Sequence, residues 1–235
     1  MKLLAFDTST ERMSVAVQRT VGDDIRVWQH SAEGGARTST HLIPAIQDLM
    51  GQAGLQFSEL EAVVFGRGPG SFTGLRTACS VAQGLAFGAG IKVLPVDTLL
   101  AVAEQARFEH ASEQTRLRVT ALLDARMDQI YVGCYDFAGG QWSQSGGFEL
   151  VRAQELSSET PGYLAGNVFA TYGARLPAAW VQRFDAMPTA AALLRLAPAL
   201  LASGAAQQPE QALPLYLRDK VAQTTLERAA QKALP

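Results

Sequence analysis

Residues 72–89, FTGLRTACSVAQGLAFGA, contain one charged side chain, that of Arg76. Apolar and small residues at helical spacing lie on every side of this segment, so it is predicted to be a helix with almost no polar face. A helix that is apolar all round has to be covered on all sides. One side can pack on a sheet, and the other needs a second layer, either from the same chain or from a partner. Small residues such as Ala78 and Ala82 would let that layer approach closely.

A glycine-rich loop, GRGPGSFTG at residues 66–74, precedes this helix. Backbone N–H groups at a helix N-terminus bind anions, so the loop is a candidate phosphate site. However, Leu75 stands where a P-loop has lysine, and neither the dinucleotide-binding nor the nucleophile-elbow spacing is matched. A tight Pro-Gly turn followed by a Ser or Thr helix cap explains the same residues, apart from Phe72 and Arg76.

The order of predicted elements indicates the fold class. Period-two alternation or short apolar runs predict strands, and helical spacing predicts helices. In chain order the elements are strands at 2–6, 13–19 and 24–30, a helix at 38–54, a strand at 61–66, a helix at 72–89, a strand at 91–96 and a helix at 98–106. This βββαβαβα order is that of one half of an actin-like ATPase fold. We therefore predict an α/β, actin-like (ribonuclease H-like) fold with two subdomains, the second of them degenerate.

A polar stretch at 107–116 is the predicted boundary between the subdomains. The N-terminal subdomain is predicted at 1–106, a smaller α/β subdomain at 117–220 and a C-terminal tail at 221–235. Three paired strands are predicted early in the second subdomain, from LRVTALLDAR, IYVGCYDF and WSQSGGFELV. From residue 161 the chain is rich in Ala and Leu and is predicted to be helical, with breaks at Pro177, Pro188 and Pro198.

Composition excludes several classes of protein. The chain has 235 residues and a net charge of −2, which argues against a stand-alone RNA-binding protein with a basic face. Its two cysteines, Cys79 and Cys134, form no CxxC pattern, so a structural zinc site is not expected. The run of four apolar residues before Asp7, LLAF, is too short for a signal peptide, and no run approaches the roughly 20 apolar residues of a membrane span. We expect a cytoplasmic protein that does not contact membranes.

Few polar residues form candidate sites. Asp7 and Thr8 follow the first strand, where an actin-like ATPase binds phosphate and metal, although an Asx-type turn explains them as well. Asp124 and Asp128 are either a catalytic pair or solvated acids around a turn. The histidines His30, His41 and His110 do not pair with one another or with cysteine at helical spacing. No catalytic residue and no metal site is predicted.

Five segments in this order resemble the TsaB (YeaZ) family: LAFDTST, GPGSFTGLR, DARMDQIYVG, YLAGN and PLYLRDKVA. The resemblance covers nearly the whole chain, and GPGSFTGLR is highly specific as a string. It implies a subunit that acts with the larger TsaD enzyme and the small ATPase TsaE. Together they make threonylcarbamoyladenosine at position 37 of tRNAs that read ANN codons.

The resemblance also implies that TsaD carries the chemistry, with a metal held by an H-x-x-x-H pair after a strand. The corresponding stretch of this chain is VDTLLAV, residues 96–102, in which Thr98 and Val102 take the histidine places. Neither side chain can replace an imidazole as a metal ligand. The resemblance therefore implies a non-catalytic subunit with no cofactor of its own.

The resemblance further places the contact with TsaD on helices 38–54 and 72–89, with a homodimer using the same helices when TsaD is missing. The surplus apolar surface on both helices fits such a contact. The predicted interface residues are Leu42, Ile46, Leu75, Arg76, Cys79, Ala82, Gln83 and Ala86. A charge at Ala82, as in Ala82→Glu, is expected to disrupt docking.

Two other functions stay open at this point. One is a stand-alone enzyme of the same fold, either an ATP-binding kinase-like protein or a peptidase-like protein. The other is a self-sufficient homodimer with a separate signalling role. If the chain is instead a subunit that acts with TsaD, Asp7 and Thr8 are candidates for a composite site with TsaD that binds ATP or ADP weakly, and tRNA would be contacted only indirectly.

Overall fold

Two five-stranded sheets organise the chain, and the computed structural model describes residues 1–35, 38–157, 162–178 and 182–218. The first sheet has the order β3-β2-β1-β4-β5. Its strands are β1 (Lys2–Asp7), β2 (Arg12–Val21), β3 (Asp24–Glu33), β4 (Ala62–Gly68) and β5 (Lys92–Asp97). β1, β2 and β3 form an antiparallel meander, and β4 and β5 add to β1 in parallel.

The second sheet has the order β10-β9-β6-β7-β8. Its strands are β6 (Arg116–Arg126), β7 (Gln129–Ala138), β8 (Gln141–Val151), β9 (Tyr163–Gly166) and β10 (Arg183–Asp185). β6, β7 and β8 are antiparallel, whereas β9 and β10 join β6 in parallel. Counted from β6, this is the topology of the first sheet, so the molecule is an actin-like fold with two related halves.

Five helices cover these sheets: α1 (Thr38–Ala53), α2 (Phe72–Ala89), α3 (Thr98–His110), α4 (Phe169–Tyr172) and α5 (Ala190–Ala202). α1 and α2 bury their apolar faces on one side of the first sheet. α5 covers the opposite side of that sheet, and α3 packs between the two sheets. Where the chain is described, no helix combines the length and the apolar character that crossing a membrane requires.

The predicted order βββαβαβα of the first half is confirmed, and so are the three antiparallel strands that open the second half. The prediction of a helical region from residue 161 is wrong for β9 and β10. Both strands are short, and β9 is buried beside β6, so its YLAG sequence has no alternation to distinguish it from a helix. Pro198 does not break α5 either, because it lies on the exposed side, where water can bind the carbonyl group that loses its partner.

The two halves share elements as well as topology. α5 belongs to the second half of the sequence, yet the backbone N–H of Ala190 donates to Ser14 Oγ on β2 at 2.9 Å. Leu193 and Ala197 on the same helix pack against Leu3 and Val64 of the first sheet. The predicted subdomains 1–106 and 117–220 stay predictions, and the predicted tail 221–235 lies outside the described residues.

Candidate functional site

The glycine-rich loop before α2 lies directly against the end of β1. A Cβ atom added to Gly66 would overlap the Asp7 carboxylate, and one added to Gly74 would overlap the carbonyl oxygen of Thr8. The backbone N–H of Ser71 donates to the Ser9 carbonyl at 2.7 Å. Gly74 is therefore required by the close packing of one backbone on another, and Gly66 by the close approach of the Asp7 side chain. This contact accounts for them without a phosphate.

Asp7 is buried at the centre of this contact. Its Oδ1 accepts hydrogen bonds from the backbone N–H of Ser9 at 2.9 Å and from Ser9 Oγ at 2.7 Å. Its Oδ2 is buried and has no hydrogen-bond partner among the residues that the structure describes. Burial raises the pKa of Asp7 to about 6, against the lowering effect of the two Ser9 hydrogen bonds. Thr8 is buried too, and its Oγ1 donates to the Gly74 carbonyl at 2.7 Å.

A cleft of about 360 Å³ lies between the two halves, next to this contact. Four parts of the chain form its main walls: Ser9–Glu11 after β1, Gly70–Phe72 at the start of α2, Leu123–Met127 at the end of β6, and Leu215–Arg218. The walls do not include Asp7 or Thr8, the two residues predicted for a composite nucleotide site. Both residues are buried behind the surface of the cleft.

The acids on the other side of the cleft are occupied. Asp124 accepts hydrogen bonds from Tyr172 Oη at 2.9 Å and from the backbone N–H of Arg126 at 2.8 Å. Asp128 forms an ion pair with Arg175. Asp124 and Asp128 therefore have separate partners, which agrees better with structural acids than with a catalytic pair. No group of three or more His, Cys, Asp or Glu side chains suited to a metal occurs in the described ranges.

The turn between β6 and β7 has an unusual backbone. Arg126, Met127 and Asp128 all have positive φ angles, of 62°, 53° and 62°, which non-glycine residues rarely adopt. Arg218 braces this turn by donating to the carbonyl groups of Ala125 and Arg126, at 3.3 Å each. The surroundings hold the turn in a conformation that it would not favour alone.

Residues 212–218, which we call the C-terminal strap, run from α2 to this turn. The carbonyl group of Ala212 accepts from Gln83 Nε2 at 3.0 Å and from Cys79 Sγ at 3.4 Å. Tyr216 accepts a hydrogen bond from Arg76 Nε at 3.1 Å, and its ring lies 5.1 Å from that of Phe72. The strap thus explains Phe72 and Arg76, which a simple turn and cap left unexplained.

The predicted interface on these helices stays a prediction, and the structure places most of its residues inside the chain. Six of the predicted interface residues are buried within the chain itself: Leu42, Ile46, Leu75, Cys79, Ala82 and Ala86. They lie on the sheet-facing sides of α1 and α2, where the chain's own core covers them. Ala82→Glu would therefore disrupt the fold before it tested docking. Arg76 and Gln83 lie nearer the surface, and both bind the strap.

The outward sides of α1 and α2, which we call the outer face, carry a different set of residues. Phe87 on α2 is 78% exposed and Ile43 on α1 is 44% exposed. Around them lie small or uncharged exposed residues: Gln47, Gly51, Ser80, Gly84 and Gly88. Thr73, Thr77 and Ser80 lie on this side of α2 and make it more polar than the buried side. This difference is present in the sequence, but the interface was predicted from the apolar residues of the helix.

Comparisons with known proteins agree on one family. A family model described as "TsaD: tRNA N6-adenosine threonylcarbamoyltransferase" matches residues 30–231. The chain is 33% identical to the tRNA threonylcarbamoyladenosine biosynthesis protein TsaB of Escherichia coli, over 94% of this chain and 96% of that protein. It is 42% identical to the same-named protein of Haemophilus influenzae, over 56% of this chain and 52% of that protein. The solved structure of YeaZ from Pseudomonas aeruginosa has a TM-score of 0.82 at 37% identity, over 92% of this chain and 99% of that one.

The glycine contact predicts opposite effects of one substitution at two positions of α2. Gly74→Ala should lower the free energy of unfolding by about 3 kcal/mol, because the Thr8 backbone has to move. Gly84→Ala is the matched control, since a Cβ there meets nothing within 4 Å, and it should raise the free energy of unfolding by about 1 kcal/mol. Urea unfolding of both variants in dilute protein measures the difference. Equal effects would show that the loop does not need glycine at 74.

The raised pKa of Asp7 predicts that the free energy of unfolding depends on pH. This pKa, about 6 in the folded chain, lies above the ordinary value of 3.8, so the folded state binds more protons between those values and loses stability as the pH rises. Asp7→Asn removes this titration while keeping an acceptor for Ser9. The free energy of unfolding of Asp7→Asn minus that of the wild type should therefore rise by roughly 3 kcal/mol from pH 4 to pH 7. A difference that stays constant in urea unfolding across this range would contradict the assignment.

Proposed function

The chain belongs to the TsaB (YeaZ) family of tRNA threonylcarbamoyladenosine biosynthesis proteins, and from this premise we propose that it is a non-catalytic subunit that binds TsaD. Membership makes it a protein of the threonylcarbamoyladenosine pathway. The proposal adds its role: with TsaE it supports TsaD in the threonylcarbamoylation of adenosine 37 in tRNAs that read ANN codons. TsaD makes the bond, and this chain contributes the surface on which TsaD docks.

The observation that carries the proposal is the outer face of α1 and α2. From Phe72 to Ala89 the one charged residue is Arg76, and the strap binds its side chain. Phe87 projects from the same helix with most of its side chain in water. Gly84 and Gly88 leave open space beside it, in which a helix of a partner could approach closely. An exposed aromatic residue next to small uncharged ones is typical of a protein-binding surface.

The surroundings of Thr98 and Val102 support the non-catalytic part of the proposal. These residues take the places at which the family resemblance puts the metal-binding histidines of TsaD. Both are buried in the first turns of α3, and Thr98 Oγ1 accepts a hydrogen bond from the backbone N–H of Gly68 at 3.1 Å. In this chain Thr98 joins α3 to the end of β4, and Val102 packs in the apolar core between α3 and the second sheet, so neither position holds an imidazole.

The proposal includes three further parts that the sequence predicted. The isolated chain forms a homodimer through the outer face, and TsaD replaces the second copy. ATP or ADP binds weakly at a site shared with TsaD, beside the cleft. Transfer RNA contacts this subunit only through its partners, and the complex acts in the cytoplasm.

Light scattering after gel filtration tests the proposal, on the chain alone and mixed with the TsaD of the same organism. We expect a homodimer alone and a complex with one copy of each chain after mixing. Failure to form a complex, with nucleotide and TsaE present, would contradict the proposal. Tight ATP binding by the isolated chain in calorimetry would instead favour a stand-alone enzyme.

Phe87→Glu tests the position of the docking surface. Because Phe87 is exposed, this variant should keep its fold, whereas a charge at the centre of an apolar contact should weaken TsaD binding by about a hundredfold. Val21→Glu is the matched control: Val21 is 62% exposed but lies at the β2–β3 hairpin, away from α2. It should bind TsaD as the wild type does. Equal affinity of both variants in calorimetric titration would place the interface elsewhere.

A further inference from the structure

A second cavity, of about 760 Å³, lies between α3, α5 and the hairpin that joins β7 to β8. It shares no lining residue with the cleft and none with the outer face. Its lining residues include Leu100, Glu104, Arg107, Phe137, Trp142, Arg195, Leu196, Ala199 and Leu200. Its volume is in the range of small-molecule sites, and its walls have the usual character of such sites, mostly apolar with a few polar groups.

The polar groups of this cavity converge on one carboxylate. Glu104 is only 3% exposed, and Arg107 binds it through Nε at 2.8 Å and Nη2 at 3.0 Å. Arg195 Nε donates to the same carboxylate at 2.8 Å, and Trp142 Nε1 donates to it at 3.0 Å. Two guanidinium groups therefore face one carboxylate, which leaves an excess of one positive charge inside a partly closed cavity.

One further carboxylate, that of Glu109, acts on Arg195 from outside the cavity lining. Gln105 Oε1 accepts from Arg195 Nη2 at 2.7 Å, but an amide carries no charge. Glu109, one turn further along α3, is exposed, and its carboxylate accepts a hydrogen bond from Gln105 Nε2. Within the described part of the chain, the Nη1 groups of Arg107 and Arg195 donate no hydrogen bond. Burial lowers the pKa of Arg195, and the charge of Arg107 adds to this effect, against the raising effect of Glu104 and Glu109.

Aromatic rings form the wall next to these charges. The guanidinium carbon of Arg107 lies 4.6 Å from the centre of the Phe137 ring. The rings of Phe137 and Trp142 lie 5.1 Å apart and at 55° to each other. Leu196 and Leu200 of α5 line the opposite wall. A flat apolar body would pack between these walls, with an acidic group directed at the arginines.

We propose that this cavity binds a small organic anion, consisting of an aromatic or apolar body with one acidic group. The acidic group pairs with Arg107 and Arg195, and the body packs against Phe137, Trp142 and Leu200. One arginine would be enough to neutralise Glu104 in a purely structural network. The second arginine gives the cavity its affinity for a negative charge.

The probe that tests this site is 1-anilinonaphthalene-8-sulfonate, an aromatic anion whose fluorescence rises in apolar surroundings, titrated into the full chain. The neutral analogue N-phenyl-1-naphthylamine has nearly the same body without the sulfonate. We expect saturable binding at one site, with the anion bound about tenfold more tightly than the neutral analogue, as one charge-assisted hydrogen bond would give.

Two variants separate the cavity from other surfaces. Ala199→Trp fills the cavity from an exposed position and should weaken binding of both probes by about tenfold or more. Ala174→Trp, at an exposed alanine outside the cavity, is its matched control and should change neither. Arg195→Gln should weaken the anion about tenfold and leave the neutral analogue unchanged. Circular dichroism checks the fold of each variant. If Arg195→Gln does not fold, Ala199→Trp and its control still test whether the probes bind in the cavity.

Three outcomes would overturn the proposal. One is the absence of saturable binding, and another is equal affinity of the wild type and Ala199→Trp for the anion. The third is a neutral analogue that binds as tightly as the anion. None of these measurements involves TsaD, so they are independent of the proposed docking on the outer face.

Discussion

The contact between the glycine-rich loop and the end of β1 sets the geometry of the first half of the molecule. Gly74 lets two backbones touch, Gly66 leaves room for the carboxylate of Asp7, and Thr8 Oγ1 closes the contact with a hydrogen bond to Gly74. Because α2 starts at this point, its orientation on the sheet follows from the contact, and so does the direction of the outer face. The same contact buries Asp7 behind the cleft, which separates its carboxylate from any molecule held there in this conformation.

The cleft, the outer face and the second cavity lie at three separate places on the molecule, and mostly different elements form each of them. The cleft uses the corresponding ends of β1 and β6, where the two related halves meet. The outer face uses the sides of α1 and α2 that the first sheet does not cover. The second cavity uses α3 and α5, the helices on the opposite side of that sheet. A partner on the outer face would therefore leave the second cavity accessible.

Strands and helices with a strong sequence period could be predicted from the sequence. Which side of a helix faces the chain's own sheet could not. The alternation in β2 and the helical spacing in α1 and α2 come from burial on a single sheet, so their positions agree with the structure. β9 was missed because four buried residues show no period. The sequence could not show that Leu75 and Ala82 are buried within the chain, because apolar residues of this kind suit a surface for a partner and a surface for the chain's own sheet alike. The strap's role depends on contacts over more than 100 residues, for which no local signal exists.

The position of α5 on the first sheet has a consequence for the order in which the molecule can be completed. The side of that sheet that carries Leu3 and Val64 is closed by residues 190–202. A ribosome therefore synthesises nearly the whole chain before this side can be covered, although the strands themselves are made early. During that interval the nascent sheet exposes a row of aliphatic side chains. Any chaperone that recognises such rows would bind the unfinished chain there, on the side opposite to α1 and α2.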